Sequence, residues 1–194
     1  MNKARNTKVD ILNAALPLVR KLGFESVSIA NLAKEVGMSK SGLFAHFHSK
    51  EKMHVMILDH ASVDFTQNVV MPALKSKRGL PRLKKILSNW VGWLGSSSEG
   101  ACPFVAASIE YDQKEGLVKE RLQFHLGSLI KAISRSVDHC IEEGHFDKGS
   151  DSNQIAFEIY SFVIGESIYR KTLGHKSSNK ILTESLNRLY ARSK

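Results

Sequence analysis

The stretch SIANLAKEVGMSKSGLFAHFHSK, Ser28 to Lys50, reads as helix, sharp turn, helix. Ile29, Leu32, Ala33 and Val36 fall on one face at helical spacing. Gly37 supplies a stop, and Ser39 caps a second, very short helix that carries Leu43 and Phe47 inward. Ser39, Lys40, Ser41, Gly42, Phe44 and His46 are left as a slim, polar, cationic outward face. This is the layout of a helix-turn-helix whose second helix enters a DNA major groove.

Upstream, Ile11, Leu12, Ala15, Leu16, Val19 and Leu22 make one stripe of a helix over residues 8–22, which Pro17 should bend and Gly23 should end. Phe24 and Val27 are placed to fill the gap between this helix and the next. Downstream, Ser49 caps a helix running to about Val70, with Met53, Met56, Ile57, His60, Ala61 and Asp64 on one face and Pro72 closing it. KSKRGLP, Lys75 to Pro81, carries a linker signal. Further helices are expected over 81–95, 103–113, 117–143, 152–173 and 178–192, with Ser96 to Ala101 a loop and Gly174 and His175 separating the last two. No strand alternation of useful length and no internal repeat is present. The class is therefore all-α: a three-helix DNA-binding domain at 1–50 and a larger helical domain at 51–194.

The 194 residues carry a net charge of +9. More than half of that excess lies in residues 1–52, where nine lysines and arginines face four acidic residues. Charge thus concentrates on the suspected recognition element, and an anionic partner such as nucleic acid is the expected reason. Only Cys102 and Cys140 are present, so no disulfide framework is expected and the setting is a reducing one. The N-terminus has no apolar h-region and no run approaches a membrane-spanning length, so a cytoplasmic protein without a membrane partner is expected.

The short helix suits its task by size and charge. Ser39, Ser41 and Gly42 let the backbone approach a groove, and Lys40 can donate to guanine O6 or N7 or to a phosphate. Ser28 and Ser39 stand at helix N-termini, where free N–H groups and hydroxyls suit phosphate oxygens, and Lys50 is placed likewise. With its G-F-x-x-V-S-I entry, I-A-x-L-A-x-x-V-G helix and S-K-x-x-L-F-x-H-F followed by S-K-E, the stretch 8–53 resembles the DNA-binding domain of the TetR family of bacterial transcriptional regulators. The resemblance implies DNA contacts at Ser28, Ser39, Lys40, Ser41, Gly42, Phe44, His46 and Lys50, with Thr7 or Lys8 at the start of the first helix. Two positions depart from that pattern. Phe44 stands where the family usually has tyrosine, which removes a hydroxyl from a phosphate, and Gly42 stands where a side chain is common.

The resemblance also implies that the remaining residues bind a small molecule and dimerise. Trp90, Trp93, Phe104, Tyr111 and Phe124 are candidates to line a cavity between helices, or else plain core, with Glu110, Tyr111 and Asp112 as polar orienters. Ile155, Ile159, Phe162 and Val163, then Leu182, Leu186 and Leu189, give the last two helices broad apolar faces suited to a four-helix interface between two chains. A twofold homodimer fits a palindromic operator on double-stranded DNA. His125, His139, Cys140 and His145 lack metal-ligand spacing, no converging catalytic set appears, and neither a metal, a cofactor nor an enzyme activity is expected. Cys102, beside Gly100 in an expected open loop, is a thiol-sensor candidate. The expected function is a ligand-responsive repressor released from its operator by a small molecule. The alternatives are an activator of the same fold and a helical interaction scaffold with a vestigial DNA-binding domain.

Overall fold

In the computed structural model, which describes residues 8–96, 101–174 and 178–193, the regular elements among the described residues are all helical. Thr7 and most of the expected loop from Ser96 to Ala101 lie outside the described residues, as does His175. Helix α1 (Lys8–Leu22) buries Ile11, Ala15, Leu16 and Val19. Pro17 sits on its exposed side, where water can replace the backbone bond that the proline removes. Helices α2 (Ile29–Glu35) and α3 (Lys40–Phe47) follow, and then α4 (Lys50–Phe65). The helical path continues beyond α4 through a π-helical stretch, Thr66–Val70, into the single turn α5 (Met71–Ala73). Pro72 therefore does not close the helix. It stands at the start of the single turn α5, within the continuing helical path.

The remaining helices are α6 (Leu80–Ser96), α7 (Pro103–Glu110), α8 (Leu117–Glu142), α9 (Ser152–Leu173) and α10 (Ser178–Arg192). The expected linker at Lys75 to Pro81 is a pinned turn. Arg78 pairs with Glu142 and, at 2.6 Å, with Glu143, while the Arg82 guanidinium donates to the Ser76 carbonyl. Helix α7 stops at Glu110, three residues before the expected end, and the side chains of Glu110 and Tyr111 reach distant partners.

Contacts divide the described residues into two compact units: Met1–Asp64 with Ser97–Leu126, and Phe65–Ser96 with Gly127–Lys194. In the first, α1, α2, α3 and the start of α4 pack around Ile11, Phe24, Val27, Leu32, Leu43, Phe47, Met53 and Ile57, and α7 packs on α1. In the second, Phe65 lies edge-on to both Trp90 and Trp93, at 5.7 and 5.3 Å between ring centroids, and α9 packs against α6 and α10.

Candidate nucleic-acid interface

The turn between α2 and α3 is built from local chemistry. Ser28 accepts a bond from the Asn31 N–H at 3.1 Å to start α2, and Gly37, at φ +65°, takes the left-handed conformation that ends it. Ser39 then caps α3 by accepting from the Gly42 N–H at 3.1 Å. Leu43 and Phe47 are fully buried, which fixes the rotation of α3 about its own axis. Lys40, Ser41, Phe44 and Ala45 are consequently turned outward, with Phe44 50% exposed and His46 half-buried. Gly42 has a local reason as well as a possible groove role: a Cβ there would meet the capping Ser39 Oγ at 3.0 Å.

Ser28, Ser39, Lys40, Ser41, Gly42, Phe44 and His46 are thus brought together on or beside one turn and one helix. Lys50 begins α4, and its ammonium donates to the Glu25 carbonyl at 2.7 Å, leaving two further N–H donors for an anion. The nearby Lys8 ammonium lies 5.9 Å from the centre of the Phe47 ring.

A second layer holds this element from behind. The Glu110 carboxylate accepts from the Phe24 N–H at 3.0 Å and the Glu25 N–H at 2.5 Å, in the loop that feeds α2. Lys114 pairs with Glu25, and the Leu117 N–H donates to Glu51 at 3.0 Å. At the centre, buried His54 lies 2.9 Å by Nε2 from the Val27 carbonyl and 2.5 Å by Nδ1 from the Tyr111 phenol. A carbonyl only accepts, so Nε2 carries the proton and Nδ1 accepts from the Tyr111 O–H. Burial lowers the His54 pKa and is the main cause of the upward shift at Tyr111, so the pair is held neutral.

This pair should make the protein pH-sensitive. The unfolded chain protonates His54 near its ordinary 6.5, whereas the folded chain does so only at lower pH. Unfolding therefore takes up a proton below 6.5, so stability is full above that value and falls as pH drops through the lowered one. Denaturant midpoints at about pH 7.5 and about pH 5.5 should differ more in the wild type than in His54→Gln, which keeps a donor and an acceptor without titrating. An equal pH dependence in both would remove His54 as the cause.

Among the other expected site residues, Trp90 and Trp93 are buried against Phe65 in the second unit. Phe104 is buried in the first unit, Tyr111 belongs to the His54 pair, and Phe124 is 59% exposed. Ile155, Ile159, Val163, Leu182, Leu186 and Leu189 are buried within the single chain. The exposed apolar residues of the same helices are Phe157, Ile168, Tyr169, Leu173 and Ile181, beside half-buried Phe162. Cys102 is a buried cap residue of α7 instead of standing in an open loop. Among the described residues no group of three His, Cys, Asp or Glu is arranged to hold a metal, and no helix is long and apolar enough to cross a membrane. Sequence reading missed His54 and Glu110's capping role. The signal for His54 was its place in the stripe Met53, Ile57, Leu58 and Ala61, where a polar residue type hid it.

Comparison with known proteins places these features in context. The family model described as "Bacterial regulatory proteins, tetR family" matches residues 11–54, and "Tetracyclin repressor-like, C-terminal domain" matches residues 79–183. A nucleoid occlusion factor SlmA from Edwardsiella ictaluri is 23% identical over 169 residues, covering 84% of this chain and 82% of its own. A TetR-family regulator of Chloroflexus aurantiacus superposes with a TM-score of 0.83 at 20% identity, covering 98% of this chain and 96% of its own. AibR, solved with isovaleryl coenzyme A and operator DNA, superposes with a TM-score of 0.73 at 17% identity, covering 93% of this chain and 96% of its own.

Proposed function

The chain belongs to the TetR family of bacterial DNA-binding transcriptional regulators, and on that premise we propose that it is a ligand-responsive repressor acting as a homodimer on a palindromic operator. The observation that carries the reading is the outward face of α3, where Lys40, Ser41, Phe44 and Ala45 project from a helix rotationally locked by buried Leu43 and Phe47. In this reading Lys40 and Ser41 meet base edges or phosphates, Ser28 and Ser39 bring helix N-termini to phosphates, Gly42 lets the backbone approach the groove, and Phe44, His46 and Lys50 flank it. Residues 1–50 read DNA, and residues 51–194 bind the effector and the second copy. Two copies meet through the exposed apolar residues of α9 and α10, Phe157, Phe162, Ile168 and Ile181 among them. Trp90, Trp93, Phe104, Tyr111 and Phe124 were the sequence candidates for the effector. Of these, Tyr111 is the one bonded to the residue behind the recognition element.

Release of DNA requires the effector to prefer the released state by about a hundredfold, roughly 3 kcal/mol. Glu110, Tyr111 and His54 are suited to carry that preference, because Glu110 and His54 bond directly to the loop that leads into α2 and Tyr111 bonds to His54. The test is a titration of selected genomic fragments against salt. Specific binding should weaken linearly on a log–log plot, with a slope set by the number of phosphates neutralised. Binding indifferent to salt would overturn the reading. A Phe44→Tyr variant should tighten operator binding by about three- to tenfold, since position 44 is exposed and a hydroxyl there would gain a phosphate partner. An unchanged affinity would mean that the ring does not face the DNA backbone.

A scaffold role on DNA is the second reading, favoured by the similarity to a nucleoid occlusion factor across most of the chain. The selected fragments separate the two readings: a repressor recovers few sites next to promoters, while a scaffold recovers sites scattered along the chromosome.

A further inference from the structure

Helices α6, α9 and α10 border a half-open cavity of about 800 Å³ in the second unit, and none of the aromatic residues expected to bind an effector lines it. That volume lies within the range of about 300–1,000 Å³ usual for small-molecule sites. Lys84 of α6 sits against Tyr190 of α10 at one end. At the other end Gly95 of α6 sits beside Arg170, which joins Glu166 and, through it, Ser178 at the start of α10. The two helices therefore run antiparallel along the cavity, and Lys84 to Gly95 is roughly 16 Å along the axis of α6. Between the ends, Leu87 and Val91 of α6 and Leu182 and Leu186 of α10 make the lining apolar.

Two of the three charges in the lining answer each other. The Glu166 side chain is 4% exposed, and its Oε1 accepts from Arg170 Nε at 3.0 Å and from the Ser178 hydroxyl at 2.7 Å. Lys84 is left over. Its ammonium lies 5.4 Å from the centre of the Tyr190 ring, and among the described residues no acidic side chain pairs with it. The surrounding chain is of the same sign, since residues 75–85 include Lys75, Lys77, Arg78, Arg82 and Lys85 and no acidic residue. Glu142 and Glu143, the carboxylates that reach this turn, are taken by Arg78. An apolar trough with an unanswered cation at one end is complementary to an anion that carries an apolar chain.

We propose that this cavity binds an aliphatic monocarboxylate, its head beside the Lys84 ammonium and its chain along Leu87, Val91, Leu182 and Leu186. The proposal names a ligand class for the effector reading above and rests on that reading only for the consequence on DNA. A carboxylate accepts a charge-assisted bond from Lys84. A hydroxyl head on the same chain gains the apolar contacts without the charge, and an ammonium head is repelled.

The test is calorimetric titration of the full chain, without DNA, with decanoate, decanol and decylamine. Decanoate should bind one per chain, about three- to tenfold tighter than decanol, the modest factor reflecting an ammonium that is still partly in water, and decylamine should bind weakest. Lys84→Met keeps an apolar stem over Tyr190 and should bring decanoate down to the affinity of decanol while leaving decanol unchanged. Lys85→Met is the control: it removes the same charge one residue along, outside the lining, and should leave the decanoate preference in place. Gly92→Phe tests the location. A Cβ at Gly92 meets nothing within 4 Å, so the ring can enter the cavity without a clash. It should abolish binding of decanoate and decanol alike, with a melting temperature at or above that of the wild type, since glycine is the weaker helix former. Absence of decanoate binding would overturn the proposal, as would equal affinity for decanoate and decanol, an equal loss in Lys84→Met and Lys85→Met, or undiminished binding to Gly92→Phe. A separate operator titration in saturating decanoate addresses the effector reading alone. Decanoate binding with no change in DNA affinity would refute that reading and leave the site in place.

Discussion

A Lys40→Glu variant is expected to bind operator DNA at least about a hundredfold more weakly than the wild type while remaining as stable or slightly more stable. Lys40 is the first residue of α3 and is exposed. A cation at a helix N-terminus opposes the helix dipole, so glutamate there should help α3 by about 0.3–1 kcal/mol. On DNA the same change replaces an attraction worth about 1–3 kcal/mol with repulsion from phosphates, and a dimer experiences it in both half-sites. The sum exceeds about 3 kcal/mol, hence the hundredfold figure. Electrophoretic shift with the selected fragment and a thermal melt of the free protein check the two halves. Retained affinity would remove α3 as the reading helix, whereas lost affinity with a lowered melting temperature would show that Lys40 has a structural role.

A Phe24→Ala variant should lose about 3–5 kcal/mol of stability, corresponding to about 6–20 °C in melting temperature for a chain of this size. Phe24 is fully buried, with ring-centroid distances of 5.4 Å to His54 and 6.3 Å to Tyr111, both edge-on. Truncation leaves a void at the point where α7, α4 and the loop feeding α2 are joined. It also loosens the Phe24 N–H that Glu110 holds at 3.0 Å. Phe44→Ala is the matched control: the same chemical change at a half-exposed ring should alter stability by only about 0.5 kcal/mol and weaken DNA binding instead. Equal melting temperatures for the two variants would refute the assignment of one phenylalanine to the core and the other to the surface.

The recognition element was legible in the sequence because everything that shapes it is local. Helical spacing separates Leu43 and Phe47 from Lys40, Ser41 and Phe44, and each cap bonds to an N–H three residues away. The anchorage behind it was not legible. His54 has no role in the sequence pattern until the Val27 carbonyl and the Tyr111 phenol, 27 and 57 residues away in sequence, are brought to its two nitrogens. Glu110 reads as a polar orienter for a ligand until the Phe24 N–H is set 3.0 Å from it.

The same division explains the interface residues. Apolar periodicity in α9 shows that Ile155, Ile159 and Val163 share a side, but α9 is apolar on more than one side. Only packing decided that this side faces the chain's own core and that Phe157 and Ile168 face outward. Likewise, spacing directs Trp90 and Trp93 inward, but Phe65 fills the space against them, and the cavity opens elsewhere, between α6 and α10. By itself, then, the sequence determined the helices, their caps and the helix-turn-helix with its outward cationic face, because those depend on interactions spanning three or four residues. The tertiary structure alone decided which polar groups are buried against which partners, which apolar faces remain open and where a ligand could fit, because burial depends on residues far apart in the chain.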